Sequence, residues 1–210
     1  THTVKAKTHQ LSGIELTGAG KRFNREWIFK GFSYQFQPGT HYAITGPNGS
    51  GKSTLLQAIA GSLQLSEGSL EWKNEGIIDP EQVFLHLAIV APYLELIEEM
   101  SAREFLHFHA QFKPLIAGIS IDEILQIIGL EKAATKQIRF YSSGMRQRVK
   151  LAQAIFADVP VILLDEPCTN LDQTSYALYH QLIENYAKEK LIIVSSNDMQ
   201  EYDFCKEVIN

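Results

Sequence analysis

A chain of 210 residues makes one domain of ordinary to large size, and a hydrophobic fraction of 45% is enough to fill its core. The net charge of −5 argues against a general nucleic-acid surface, and two cysteines without paired spacing, Cys168 and Cys205, argue for free thiols in a reducing compartment. No apolar run approaches the ~18 residues of a membrane-spanning helix, and the polar residues 1–10 lack the apolar centre of a signal peptide.

Residues 14–17 and 27–36 read as strands; in the second, Phe32, Tyr34 and Phe36 alternate with polar residues, the pattern of a half-buried strand. Between them residues 18–23 read as a connection, and Phe23 is an aromatic able to stack on a base. Residues 40–45 read as a buried strand. Gly46, Pro47, Asn48, Gly49, Ser50, Gly51, Lys52, Ser53 and Thr54 follow in the G-x-x-x-x-G-K-S pattern of a phosphate-binding loop. An apolar helix comes next, and Gly61 can end it. The chemistry accounts for the pattern. The glycines free the backbone so that successive N–H groups turn inward as an anion nest. The helix adds its positive end. Lys52 reaches the β- and γ-phosphates, and the Ser53 hydroxyl can ligate Mg²⁺.

Residues 68–72 read as a short strand, and 83–90 as an apolar strand expected at the centre of the sheet and ended by Pro92. From Ser101 the period becomes helical. Ser101 and Glu104 form a capping box, and Phe105, Phe108, His109 and Phe112 fall on one face. A second helix spans 120–130, with Ile121, Ile124, Leu125 and Ile128 as its stripe. Residues 1–210 are thus expected to form a single domain with a helical insertion at about 94–140. Tyr141, Ser142, Ser143, Gly144 and Met145 lead into a helix on which Arg146, Arg148 and Lys150 read as a solvated face. Glu95, Glu98 and Glu99 read as a second solvated run, and Cys168 as a small buried residue. Residues 161–164 are an apolar strand ending in Asp165 and Glu166. Asn170, Leu171 and Asp172, a helix over 174–188 and a buried strand over 191–195 complete the chain. The alternation predicts an α/β fold: a P-loop NTPase core with a mostly parallel sheet, an antiparallel β subdomain and the helical insertion. In a parallel sheet ligands sit at the carboxyl ends of the strands. Asp165 is therefore placed to hold Mg²⁺ through water, and Glu166 to reach a water attacking the γ-phosphate.

These motifs resemble the nucleotide-binding subunit of ATP-binding cassette (ABC) proteins over nearly the whole chain. Residues 46–53 look like its Walker A motif and 161–166 like its Walker B. Residues 141–145 resemble its Leu-Ser-Gly-Gly-Gln signature, and 170–172 its D-loop. Phe23 stands at the place of its adenine-stacking aromatic. The resemblance implies an ATPase using ATP and Mg²⁺, with Glu166 as general base. It implies two such subunits, identical or related, paired head to tail, so that Ser142, Ser143, Gly144 and Met145 act in trans, with Asp172 in the D-loop. It also implies membrane-spanning partner subunits, a place on the cytoplasmic face of the membrane, and no nucleic-acid partner. The sequence departs from the family at three places. Tyr93 stands where a glutamine is expected, Asn197 where a histidine is expected, and the signature differs at Tyr141, Ser143 and Met145. Asn197 can donate to a γ-phosphate oxygen without carrying charge. Glu166, Ser142 and Gly144 are kept, which implies an active but slow ATPase; the alternative is a nucleotide-gated dimerisation module with little turnover.

Overall fold

The computed structural model describes residues 11–210, and of residues 173 and 174 the main chain only; the polar stretch 1–10 lies outside the described residues. Its strands form two sheets. Three of them, β1 (Gly13–Phe23), β2 (Glu26–Phe36) and β4 (Glu67–Lys73), pair antiparallel in the order β2-β1-β4. The other five are β3 (His41–Ile44), β5 (Leu87–Val90), β6 (Val161–Asp165), β7 (Leu191–Ser195) and β8 (Glu207–Ile209). They form a parallel sheet in the order β5-β6-β7-β3-β8. Six helices connect them: α1 (Lys52–Ile59), α2 (Ala102–Phe112), α3 (Ile121–Ile127), α4 (Ser143–Ile155), α5 (Gln173–Tyr186) and α6 (Met199–Tyr202).

The parallel strands are apolar on both faces because both faces are covered. Leu87, Val161, Leu163, Leu191 and Ile193 face α1 and the antiparallel sheet, meeting Leu56, Ile59, Ile14, Phe36 and Trp72. Their neighbours Ala88, Val90, Ile162, Leu164, Ile192 and Val194 face the helices, meeting Phe105, Leu106, Ile124, Val149, Tyr179 and Leu182. Within the antiparallel sheet, β1 and β4 crowd together at one glycine of β4. Gly68 has φ 77°, and a Cβ there would lie 2.3 Å from the Gly18 carbonyl oxygen, so only glycine fits.

Several expectations need correction. Residues 18–23 do not connect two strands: they continue β1 through irregularities in its pairing, and the turn is only Asn24 and Arg25. Glycines that look like a connection here serve as bulges. Residues 83–86 are not strand. Asp79 accepts from the Glu81 N–H at 2.9 Å with Pro80 in the first turn, which winds Pro80–His86 into a 3-10 helix. The shortened β5 is an edge strand, not a central one; Lys113 Nζ and Gln153 Nε2 cover its open side by donating to the Leu87 and Ile89 carbonyls at 2.6 and 3.0 Å. On α2 the capping box is present, but the buried residues are Ala102, Phe105 and Leu106, while Phe108 and Phe112 stack on each other at the surface.

The basic face of α4 is not simply solvated. Arg146 Nη1 meets Glu98 at 2.7 Å and Arg148 Nη1 donates to the Ile128 carbonyl at 2.9 Å. These contacts tie α4 to the segments that precede and follow α2 and α3.

Candidate nucleotide site

The carboxyl ends of three adjacent strands, β6, β7 and β3, supply the site. The loop after β3 runs into α1, and Gly51 is the N-cap with φ 92°. A Cβ at Gly51 would lie 2.7 Å from Ile28 Cγ2, so the β1–β2 hairpin rests directly on the loop. Lys52 Nζ folds back over the loop and donates to the Gly46 and Pro47 carbonyls at 2.7 and 3.1 Å. Phe23 is 49% exposed, on the same side of β1 as Lys21, whose Nζ lies 5.2 Å from the ring centroid. Its face is available for stacking.

Asp165 ends β6 and is 2% exposed. Burial pushes its carboxyl up, while the Ser53 and Ser195 hydroxyls and the Lys52 charge pull it back. Even so, its Oδ1 has no donor in hydrogen-bonding geometry, and the Ser195 hydroxyl, near enough to act on the carboxyl, is not itself in hydrogen-bonding geometry. Strand register sets the two side by side, Asp165 opposite Ser195. Buried polar atoms are rarely left unpaired, and oxygen donors that converge in this way suit a hard divalent cation with its waters. Asp165 and Ser53 could hold Mg²⁺, and Ser195 could hold a water of its shell. Sequence reasoning missed Ser195; only the pairing of β6 with β7 could have shown it.

Glu166 follows, exposed, with φ 46°, a left-handed conformation that costs a non-glycine residue free energy. Its N–H is fixed to the Ser195 carbonyl at 2.9 Å. From the end of β7, Asn197 reaches the loop on two sides. Its Oδ1 accepts from the Gly46 N–H at 3.2 Å, and its Nδ2 donates to Asn48 Oδ1 at 3.0 Å. It is therefore more than a turn residue. Tyr93, 47% exposed, lies beside the Gln57 side chain and Asp165. Burial pushes its phenol up; the Gln57 hydrogen bond lowers it and the Asp165 charge raises it further, so it stands here as a neutral hydroxyl.

The signature residues assemble on a different neighbour. Ser142 is the N-cap of α4, its oxygen accepting from the Met145 N–H at 3.2 Å. Its own proton stays available to an acceptor. Gly144 packs on Asn170, where a Cβ would lie 3.4 Å from the carbonyl oxygen, and Gln147 Nε2 donates to the Pro167 carbonyl at 2.6 Å. Tyr141, a departure from the family pattern, is buried and donates to the Ala133 carbonyl at 2.6 Å. Ser143 and Asn170 border an open cleft of about 580 Å³, bridged by the Arg146–Glu98 pair. Asp172 caps α5, accepting from the Ser175 N–H at 3.0 Å.

With this geometry in place, the comparisons are decisive. The ABC transporter family model matches residues 29–169. The chain belongs to the ABC transporter family. It is one of the family's ATP-binding subunits, an ATPase with a P-loop fold. Similar proteins include the ABC transporter ATP-binding protein YybJ of Bacillus subtilis (strain 168), 29% identical over 90% of this chain and 87% of its own length. The cytochrome c biogenesis ATP-binding export protein CcmA of Paramagnetospirillum magneticum is 33% identical over 81% of each chain. A bacterial ABC transporter cassette solved as a dimer superposes with a TM-score of 0.78 at 25% identity, covering 93% of this chain and 92% of that one. No helix among the described residues is long and apolar enough to cross a membrane.

Proposed function

We propose that this chain is one cassette over residues 1–210, with a helical insertion at about 94–140, and that it pairs head to tail with a second ATP-binding subunit, a copy or a relative. Each nucleotide then lies on the loop of one subunit and beneath the signature of the other. The observation that carries this reading is the convergence of the loop, Asp165–Glu166 and Asn197 at the ends of adjacent strands. The loop N–H groups of Gly46, Asn48, Gly49, Ser50, Gly51 and Thr54 and the Lys52 ammonium hold the phosphates, Pro47 shapes the loop without donating, and Phe23 stacks the base. Ser53 and Asp165 would hold Mg²⁺, which would supply charge neutralisation to the phosphates. Glu166 takes a proton from the attacking water as its oxygen bonds the γ-phosphorus and the bond to the ADP oxygen breaks. Asn197 donates to a γ-phosphate oxygen. Ser142, Ser143, Gly144 and Met145 of the opposite subunit close the site with the positive end of α4, and Asp172 lies at the seam. Hydrolysis parts the subunits. Membrane-spanning subunits convert that alternation into transport at the cytoplasmic face, and Tyr93 stands where the family couples the two.

Mg-ATP turnover and ATP-dependent dimerisation, measured on the chain and on Glu166→Gln, test this. The variant should lose turnover by on the order of 100-fold or more and accumulate dimer. Full turnover in Glu166→Gln would remove Glu166 from the mechanism.

A further inference from the structure

A buried carboxylate outside the nucleotide site holds the two catalytic loops together. Glu201, on α6, is 4% exposed. Its Oε1 accepts from the Cys168 main-chain N–H at 2.7 Å, and the Ser196 hydroxyl, which accepts from the Asp198 N–H at 2.9 Å, lies beside its carboxylate and draws its pKa down against burial. Cys168 is two residues beyond Glu166, and Ser196 is one residue before Asn197. One side chain thus bridges the segment bearing the general base and the segment bearing the γ-phosphate donor.

The segment after Glu166 needs such a tether. It is neither strand nor helix, and both Glu166 (φ 46°) and Asn170 (φ 65°) are left-handed. Two short main-chain turns hold it locally, from Thr169 N–H to the Glu166 carbonyl and from Leu171 N–H to the Cys168 carbonyl. Unfavourable backbone states persist only where surroundings over-determine them. Glu201 is itself fixed: Tyr179 donates from its hydroxyl to the Glu201 carbonyl at 2.8 Å. Asp198 caps α6 and accepts from the Tyr176 hydroxyl, also at 2.8 Å. An apolar side chain would fill the same volume, but it would leave the Cys168 N–H buried without an acceptor.

We propose that Glu201 is a positioning residue for ATP hydrolysis, which sets Glu166 and Asn197 in mutual register by binding the Cys168 N–H and lying against the Ser196 hydroxyl at once. This rests on the roles given above to Glu166 and Asn197. Glu201→Leu removes the acceptor at similar volume, and Glu201→Gln keeps an acceptor for Cys168 and a polar partner for Ser196. The full chain and both variants are compared by hydrogen exchange over residues 166–172 and by kcat and KM for Mg-ATP. In Glu201→Leu, exchange should rise about tenfold or more and kcat should fall by on the order of 10- to 100-fold, with KM within about threefold. Glu201→Gln should restore both. Exchange unchanged in Glu201→Leu, or a glutamine variant as slow as the leucine one, would overturn the proposal. Wild-type chain without turnover would overturn the hydrolytic reading instead, and exchange would still decide whether the tether exists.

Discussion

Lys190 makes the most direct electrostatic prediction. It precedes β7, and its Nζ donates to the Ile155 and Ala157 carbonyls at 3.1 and 2.6 Å, at the carboxyl end of α4. Burial lowers its pKa from 10.5 to about 8, against a small opposite pull from Asp158. Such a drop corresponds to about 3 kcal/mol. The sign follows from proton uptake. Between pH 8 and 10.5 the unfolded chain holds the lysine proton and the folded chain does not, so stability rises with pH across that window and the gain is lost as pH falls through 8. Other groups work against it: burial pushes the Cys205 thiol up to about 12, so that thiol costs stability once pH passes 9. A comparison with Lys190→Met cancels these, because both proteins carry them. The difference in unfolding free energy, wild type minus variant, should grow by about 2 kcal/mol between pH 7 and pH 9.5 in urea titrations. A difference that stays constant between those pH values would refute the burial of a charged Lys190.

Lys52→Ala should abolish tight ATP binding, read by fluorescent-nucleotide titration; unchanged affinity would displace the loop from its assigned role. Asn197→His adds a charge-capable donor where an amide now stands and should raise kcat about tenfold, the value of a charge-assisted bond at ~1–2 kcal/mol; steady-state assays that show a loss instead would mean that the two Asn197 bonds to the loop matter more. Trp72→Ala removes a ring that is 2% exposed and donates to the Ile59 carbonyl at 2.9 Å; urea titration should show a loss of ~3–5 kcal/mol.

The motifs assigned to phosphate were legible because the chemistry dictates residue types at fixed spacing. A nest of N–H groups needs glycine, and a strand that ends on a ligand carries its carboxylate at a set position. The helices of the insertion were legible from period and caps. What failed to read had two physical causes. Glycine punctuates both turns and bulges, so β1 looked broken at residues 18–23. Apolar runs do not report how many neighbours a strand has. Leu87–Val90 is as apolar as a central strand because helices cover its faces, and its edge is satisfied by side chains from α4 and from just beyond α2. Ser195 and Glu201 gave no local signal at all. Their roles depend on pairing between β6 and β7 and on a main-chain N–H thirty-three residues away.

The loop as it stands gives Asn197, one of the departures from the family pattern, a structural role. Several of its polar groups are paired within the fold: Lys52 with two loop carbonyls, the Gly46 N–H with Asn197, and Asn48 with the same amide. An empty nest of unpaired donors would be costly. An amide suits this resting role because it accepts and donates at once, so Asn197 can bridge Gly46 and Asn48 together. On the proposed reading phosphate competes by exchange, giving the Lys52 ammonium an anionic partner in place of two carbonyls and turning the neutral Gly46 N–H bond into a charge-assisted one. Asp165 Oδ1 and the Ser195 hydroxyl, by contrast, have no partner in hydrogen-bonding geometry. On the proposed reading these buried oxygens mark the cation end of the site, and the paired groups of the loop mark its phosphate end.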